Sequence, residues 1–302
     1  MKTLTRPEGT QSEDLNLSRR GLAAAMFGGY AVFSFSAEAA PITTDATGLI
    51  TETVQVEAPD RAIPAFVARP AARGRFPVVV VIPEVFGLHE YIRDTCRRLA
   101  KLGYVAISPD MFVRQGDPSS VSDFAEIRRI VGAASEPQVM GDLAATLTYL
   151  KTQAYADRTK IATTGFCWGG AVVWLASARF KDIKAGAAWY GRLAAPKPGE
   201  FLGDPGRTWP LEVAGTLRSP VLGLYAGKDA GIPLTDVEAM KQALAGAKKT
   251  RSDIVVYPES QHGFHADYRA SYDAAAAADA WARMLAFFAA NGVKPKAFKA
   301  KA

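Results

Sequence analysis

The chain has 302 residues, of which 49% are hydrophobic and 22% charged, and it carries a formal net charge of +6. That supplies enough apolar material for one large packed domain and excludes a globally disordered chain. No cluster of Lys and Arg with interleaved aromatics stands out, which argues against nucleic acid as a partner.

The first forty residues read as an address. Ser18-Arg19-Arg20-Gly21-Leu22 leads into a modestly apolar run to about Ser36, and Ala37-Glu38-Ala39 has the small-x-small form of a cleavage site. Adjacent arginines in that setting predict a twin-arginine signal, with the twin-arginine export machinery as a partner. The apolar run is shorter than the ~20 residues of a membrane-spanning helix. Residues 41–302 would then be a single mature domain, periplasmic or secreted and monomeric, whose free thiols face an oxidising compartment.

Thr51 to Ala58 and Ala62 to Arg69 are extended runs separated by Pro59-Asp60, which predicts an antiparallel hairpin at a sheet edge. Phe76 to Pro83 is continuously apolar, as in a strand buried on both faces of a parallel sheet. A helix is expected from His89 to Leu102, with Cys96 on its apolar stripe and His89 at its start as a surface or capping residue. Tyr104 to Ser108 reads as strand, Gly116 to Ser120 as loop, and Val121 to Ala134 and Pro137 to Gln153 as helices. Strands follow at Lys160 to Thr164 and Lys184 to Tyr190, with an apolar helix from Ala171 to Ala178 between them. Ala194 to Leu217, rich in Pro and Gly, reads as a long irregular excursion. Strand Pro220 to Ala226, helix Pro233 to Ala245, strand Ile254 to Tyr257 and helix Ser271 to Ala290 complete the chain. Strands alternate with helices and no linker divides them. The fold class is therefore α/β, a three-layer sandwich whose mostly parallel sheet collects its chemistry at the C-terminal strand ends.

Four strand ends carry reactive groups. Between strand and helix lies Gly165-Phe166-Cys167-Trp168-Gly169-Gly170, the nucleophile-elbow pattern with a thiol at its apex. A strained apex needs neighbours without bulk, which Gly165 and Gly169 supply. The helix N-terminus behind Cys167 favours a thiolate and any oxyanion formed beside it, with the Trp168 N–H as one donor. Free cysteine, with a pKa of about 8.5, is mostly protonated at neutrality, so it needs a base. His262, in a loop that Gly263 frees to turn inward, is the first candidate; His265 is the alternative base or a residue lining the site. Asp229, after Ala226, is placed to orient the imidazole. Asp204 and Asp253 are poorer candidates, one in an irregular loop and one leading into a strand. Glu84 directly follows a long apolar strand, where an unpaired carboxylate would be costly, so it should meet solvent or a partner at the mouth of the site. The single possible disulfide, Cys96–Cys167, is not expected. No metal-ligand cluster and no Gly-rich phosphate loop is visible, so neither metal nor cofactor is implied.

Together, Ile82-Pro83-Glu84-Val85-Phe86-Gly87, the cysteine elbow, Gly227-Lys228-Asp229 and His262-Gly263-Phe264 resemble the dienelactone hydrolases, or carboxymethylenebutenolidases, of the α/β-hydrolase superfamily. The resemblance covers nearly all of the chain after about residue 50. It implies a Cys167–His262–Asp229 triad, an oxyanion hole from the N–H groups of Val85 and Trp168, and a Glu84 that holds the resting thiol and receives its proton. The substrate implied is a small ester or lactone, against a pocket drawn from Phe86, Trp168, Trp189, Tyr190, Arg192, Phe264 and His265. One departure stands out. Family members use arginines for a substrate carboxylate, one shortly after the catalytic histidine; here the turn holds none before Arg269, and Arg128, Arg129 and Arg192 are the substitutes considered. The rival readings are a broad carboxylesterase without a lactone role, a non-catalytic binding protein on the same scaffold, and redox work at Cys167.

Overall fold

The computed structural model describes residues 41–197, 199–203 and 206–299, so the expected export signal and Asp204 lie outside the described residues. Its centre is an eight-stranded sheet in the order β1-β2-β4-β3-β5-β6-β7-β8. The strands are β1 (Leu49–Glu57), β2 (Ala62–Pro70), β3 (Phe76–Ile82), β4 (Val105–Pro109), β5 (Ala156–Phe166), β6 (Ile183–Trp189), β7 (Val221–Ala226) and β8 (Asp253–Tyr257). β1 and β2 form the antiparallel edge hairpin, with Val56 opposite Ile63, and β2 is antiparallel to β4. From β4 to β8 every pairing is parallel. All seven residues of β3 are buried, as its unbroken apolar run demands of a strand covered on both faces.

The helices are α1 (Glu90–Lys101), α2 (Phe124–Ala133), α3 (Glu136–Thr152), α4 (Trp168–Arg179), the short α5 (Pro210–Val213), α6 (Leu234–Gly246) and α7 (Ala274–Ala290). They flank the sheet: α1 packs on β2 and β4, α4 on β5 and β6, and α7 on β6 and β7. Among the described residues no helix is long and apolar enough to cross a membrane.

Several boundaries differ from the sequence reading, and three have a clear local reason. β5 starts at Ala156 rather than Lys160: Phe76 pairs with Ala156, and an irregularity between Phe76 and Val78 absorbs the polar, turn-like Asp157-Arg158-Thr159. α2 starts at Phe124 because Asp123 caps it, accepting from the Ala125 N–H at 2.9 Å. α7 likewise starts at Ala274 because the Asp273 carboxylate accepts from the Ala276 N–H at 3.1 Å.

Candidate active site

Cys167 sits between β5 and α4 with φ 54° and ψ −118°, a conformation that a residue with a side chain adopts only when its surroundings force it. Three glycines do the forcing. A Cβ on Gly165 would lie 2.4 Å from the Gly169 carbonyl oxygen, one on Gly169 2.4 Å from that of Ile82, and one on Gly170 2.4 Å from that of Trp189. The elbow is thus pressed against the end of β3 on one side and β6 on the other. The Cys167 N–H donates to the Trp189 carbonyl at 3.0 Å, while its own carbonyl accepts from Gly170 at 2.9 Å and begins the helix. The contact with the Ile82 and Pro83 carbonyls sets the exit of β3 against the start of α4.

Asp229 and His262 are joined by the two neighbouring loops. The Gly227 N–H donates to the Tyr257 carbonyl at 2.7 Å and the Lys228 N–H to the Ser260 carbonyl at 2.9 Å, which stitches the exits of β7 and β8 together. Gly227 allows this approach, since a Cβ there would lie 2.4 Å from the Pro258 oxygen. Asp229 Oδ1 accepts from the Gly231 N–H at 2.8 Å, and its Oδ2 lies 2.6 Å from Nδ1 of His262. An ionised carboxylate can only accept, so Nδ1 carries the proton and Nε2 is the nitrogen left for chemistry. Burial works against a charge on this ring. The charges of Asp229 and Cys167, and hydrogen bonds with both, outweigh burial and raise its pKa from 6.5 to about 10. Asp229 and His262 therefore form a hydrogen-bonded pair, and the ring also responds to Cys167.

Glu84 occupies the opposite flank and is fully buried. Tyr268 donates its hydroxyl to Glu84 Oε2 at 2.7 Å, His89 Nε2 lies 3.4 Å from the same oxygen, and Arg269 Nη2 lies 3.5 Å from Oε1. Burial alone would raise the Glu84 pKa; the Arg269 charge, His89 and Tyr268 reverse that and hold it near 2. Among the described residues its polar contacts are with these three groups and not with Cys167. These three groups surround the carboxylate without filling all of its acceptor sites. His89 differs from its sequence reading. It is the N-cap residue of α1 but makes no side-chain cap bond, and its ring turns inward onto Glu84 rather than to the surface.

Arg269 is the functional group that sequence reasoning undervalued. Two successive turns, Ala266 N–H to Gly263 carbonyl at 2.8 Å and Arg269 N–H to Ala266 carbonyl at 3.0 Å, fold it back over the residue after His262. Gly263 has φ +79°, and a Cβ on it would lie 2.9 Å from Arg269 Nη1. The guanidinium lies over the Phe86 ring at 5.1 Å and is near enough to Cys167 to feel its charge. Seven residues of separation hid a neighbour that a short-range search for arginine passes over; the signal was Asp267-Tyr268-Arg269 in the same loop. Arg129 pairs with Glu126, and Arg128 covers the Phe201 ring at 5.2 Å. Arg192 is half-buried just beyond β6.

The aromatic residues divide. Phe86 lies against Arg269, and Tyr190, with φ 37°, meets the His262 ring edge-on at 5.1 Å. Trp189, Tyr190 and Phe264 are all fully buried, Trp189 donating its indole N–H to Thr164 at 3.0 Å and Phe264 packing on Tyr190 at 5.4 Å. His265 is also behind the site: its Nδ1 is 2.6 Å from the Tyr91 hydroxyl, and its ring stacks on Phe166 and Trp281. Burial and the nearby Arg98 charge lower its pKa to about 3, so it is a neutral packing group and not a second base. Cys96 and Cys167 are both free thiols, and burial pushes that of Cys96 up. Among the described residues no cluster could hold a metal ion.

Residues 63–292 match the model of the dienelactone hydrolase family. A protein of Methylorubrum extorquens, provisionally named carboxymethylenebutenolidase, is 46% identical over 253 residues, 83% of this chain and 85% of the relative. A Bradyrhizobium protein provisionally named 2-oxo-3-(5-oxofuran-2-ylidene)propanoate lactonase is 29% identical over 223 residues, 74% of this chain and 87% of its own. A crystal structure from Klebsiella pneumoniae, provisionally assigned as a dienelactone hydrolase, superposes with a TM-score of 0.74 at 43% identity, covering 80% of this chain and 98% of that one. The chain belongs to the dienelactone hydrolase family.

Proposed function

We propose that this protein is an exported hydrolase that opens a lactone or cleaves a carboxylic ester through an acyl-enzyme on Cys167. His262 takes the thiol proton and the sulfur attacks the carbonyl carbon. The N–H groups of Val85 and Trp168 bind the oxyanion, each such donor being worth about 10² to 10³ in rate. The imidazolium then protonates the leaving oxygen, and the same ring activates the water that releases the acid. Asp229 keeps the proton on Nδ1 and steadies the charged ring. Arg269, beside both Glu84 and Cys167, takes the part of the arginine that the sequence reading looked for, and pairs with a carboxylate on the substrate. Glu84 neutralises it while the site is empty.

The observation that carries the reading is the 2.6 Å contact between Asp229 and the ring that also hydrogen-bonds Cys167. The lactonase name of one relative supports a lactone among the substrates. The paired arginines before residue 41 support export through the twin-arginine route and a periplasmic or secreted enzyme.

The test is a panel of neutral esters, lactones and carboxylate-bearing lactones on residues 41–302, with and without prior iodoacetamide. Hydrolysis that alkylation of Cys167 abolishes is the expected result. Hydrolysis of p-nitrophenyl acetate with no lactone turned over would leave a plain carboxylesterase. Full activity in the alkylated protein would remove the cysteine mechanism.

A further inference from the structure

The residues just ahead of β1 are tied down far from their own strand. The Thr44 N–H donates to Asp94 Oδ1 at 2.6 Å and the Thr44 hydroxyl to Oδ2 at 3.2 Å. Lys101, at the far end of α1, donates to the Asp45 carboxylate and to the Thr47 carbonyl, both at 2.8 Å. A turn closed by the Leu49 N–H on the Ala46 carbonyl at 2.9 Å then leads into β1. Residues 42–48 therefore form a strap laid along α1. They lie ahead of residue 63, where the match to the family model begins, so the strap is an addition to the matched domain.

The anchor of the strap is shared with the loop that carries His262. Asp94 also accepts from Arg97 at 2.9 Å and from Arg98 at 2.5 Å, and Arg98 reaches on to Asp267. Arg97 in turn pairs with Glu90, so three carboxylates meet two guanidiniums, and Asp94 and Asp267 are both buried. Buried carboxylates that outnumber their cations need other donors. The strap supplies them, Thr44 to Asp94 and the Ile42 main chain to Asp267, where Ile42 and Arg98 work against the rise in pKa that burial causes. Asp267 stands within the two turns that fold Arg269 back over Gly263. The strap thus reaches Arg269 through Asp94, Arg98 and Asp267. His262 has a separate hold, because Asp229 grips its ring from the β7 exit at 2.6 Å.

We propose that Thr44 and Asp94 are positioning residues for Arg269: the strap ahead of β1 locks the turn that aims the guanidinium at a carboxylate on the substrate. The inference rests on the hydrolase reading, with Arg269 as the carboxylate anchor, and adds to it a selectivity set outside the matched domain. Loosening the strap weakens the grip on carboxylate-bearing substrates and spares neutral esters.

The test is a double-mutant cycle on the full chain. Thr44→Pro removes both the N–H and the hydroxyl that hold Asp94. Substitutions along a connected set of contacts shift binding at its end by about two- to thirtyfold, so KM for a carboxylate-bearing lactone should rise at least about fivefold with kcat within about twofold. Both constants for p-nitrophenyl acetate should stay within about twofold. Thr44→Ser, which keeps both donors, should behave as wild type. In an Arg269→Met background Thr44→Pro should cause no further rise, since the group it positions is gone, whereas a general loss of order would persist there. Equal rises for both substrates, or a rise that survives in Arg269→Met, overturns the proposal. If Thr44→Pro does not fold, Asp94→Asn weakens the same anchor from α1 and is read through the same cycle. If no carboxylate-bearing lactone is turned over, the substrate reading of Arg269 has failed and the strap is judged by hydrogen exchange. Thr44→Pro should then speed exchange of the Ala266 and Arg269 amides at least about tenfold and leave those of β5 unchanged; unaltered exchange at those two amides overturns the proposal.

Discussion

Asp229 and Glu84 are both buried carboxylates at the ends of parallel strands, β7 and β3, yet their surroundings set them to different work. Asp229 faces one imidazole and one backbone N–H, so its charge acts chiefly on the His262 ring. Glu84 faces a phenol, an imidazole and a guanidinium, and its charge is consumed where it stands. A buried carboxylate is therefore defined less by its strand-end position than by whether its donors lead anywhere. The Asp229 side is a short relay from carboxylate to imidazole; the Glu84 side is a cluster of one acid and three donors.

Losing the relay should cost far more than disturbing the cluster. Cys167→Ala is expected to reduce ester turnover about 1000-fold or more, with the far-ultraviolet circular dichroism unchanged. Asp229→Asn, which keeps the shape but removes the charge behind His262, should lower kcat/KM by roughly 10² to 10⁴, whereas Glu84→Gln should stay well inside that range. An equal loss from both would erase the distinction between the two carboxylates.

Behind the cluster, Arg98 bridges Asp94 and Asp267, tying α1 to the loop that carries His262, while the Thr44 N–H binds the same Asp94 at 2.6 Å. Arg98→Met takes the cation from buried Asp267, while Asp94 keeps Arg97 at 2.9 Å, and urea unfolding should show a loss of about 3 kcal/mol. Arg269→Met sharpens the comparison from the substrate side: KM for a carboxylate-bearing lactone should rise about 10- to 100-fold, with a much smaller change for a neutral ester. A uniform rise for both would mean that Arg269 orders the site without reading the substrate.

The smallest effect is in pH. His265, whose pKa is lowered to about 3, binds a proton more readily in the unfolded chain, so stability should fall as pH drops from about 6.5 towards 3. Glu84, held near 2, adds a further loss as pH falls from its unfolded value through 2. His262 has the opposite sign: its pKa is raised to about 10, so its contribution is complete below about 6.5 and fades as pH rises through 10. Thermal midpoints of His265→Phe should lose part of the acid limb and keep the alkaline one.

The elbow and the Asp229–His262 pair were legible in the sequence because each follows a strand end within a short motif: the glycines that permit the Cys167 conformation are two or three residues from it, and Gly227-Lys228-Asp229 comes straight out of β7. The fold was legible for the same reason, since unbroken apolar strands and amphipathic helices are local patterns. The cluster was not. Glu84 meets His89 only because α1 turns back on the β3 exit, and meets Tyr268 only through a loop 184 residues further on. The partner of His265, Tyr91, is likewise 174 residues away. Periodicity carries no record of such contacts, so His89 read as a surface cap, His265 as a pocket residue and Arg269 as too distant.

The central claim, that Cys167 carries the acyl group, is tested most directly by quenching the enzyme with acid during turnover of a p-nitrophenyl ester and weighing it intact, then mapping the adduct. One acyl group on the peptide containing Cys167, accumulating further in Asp229→Asn and absent in Cys167→Ala, is the predicted result. Steady hydrolysis with no adduct, or with the acyl group on another residue, would contradict it.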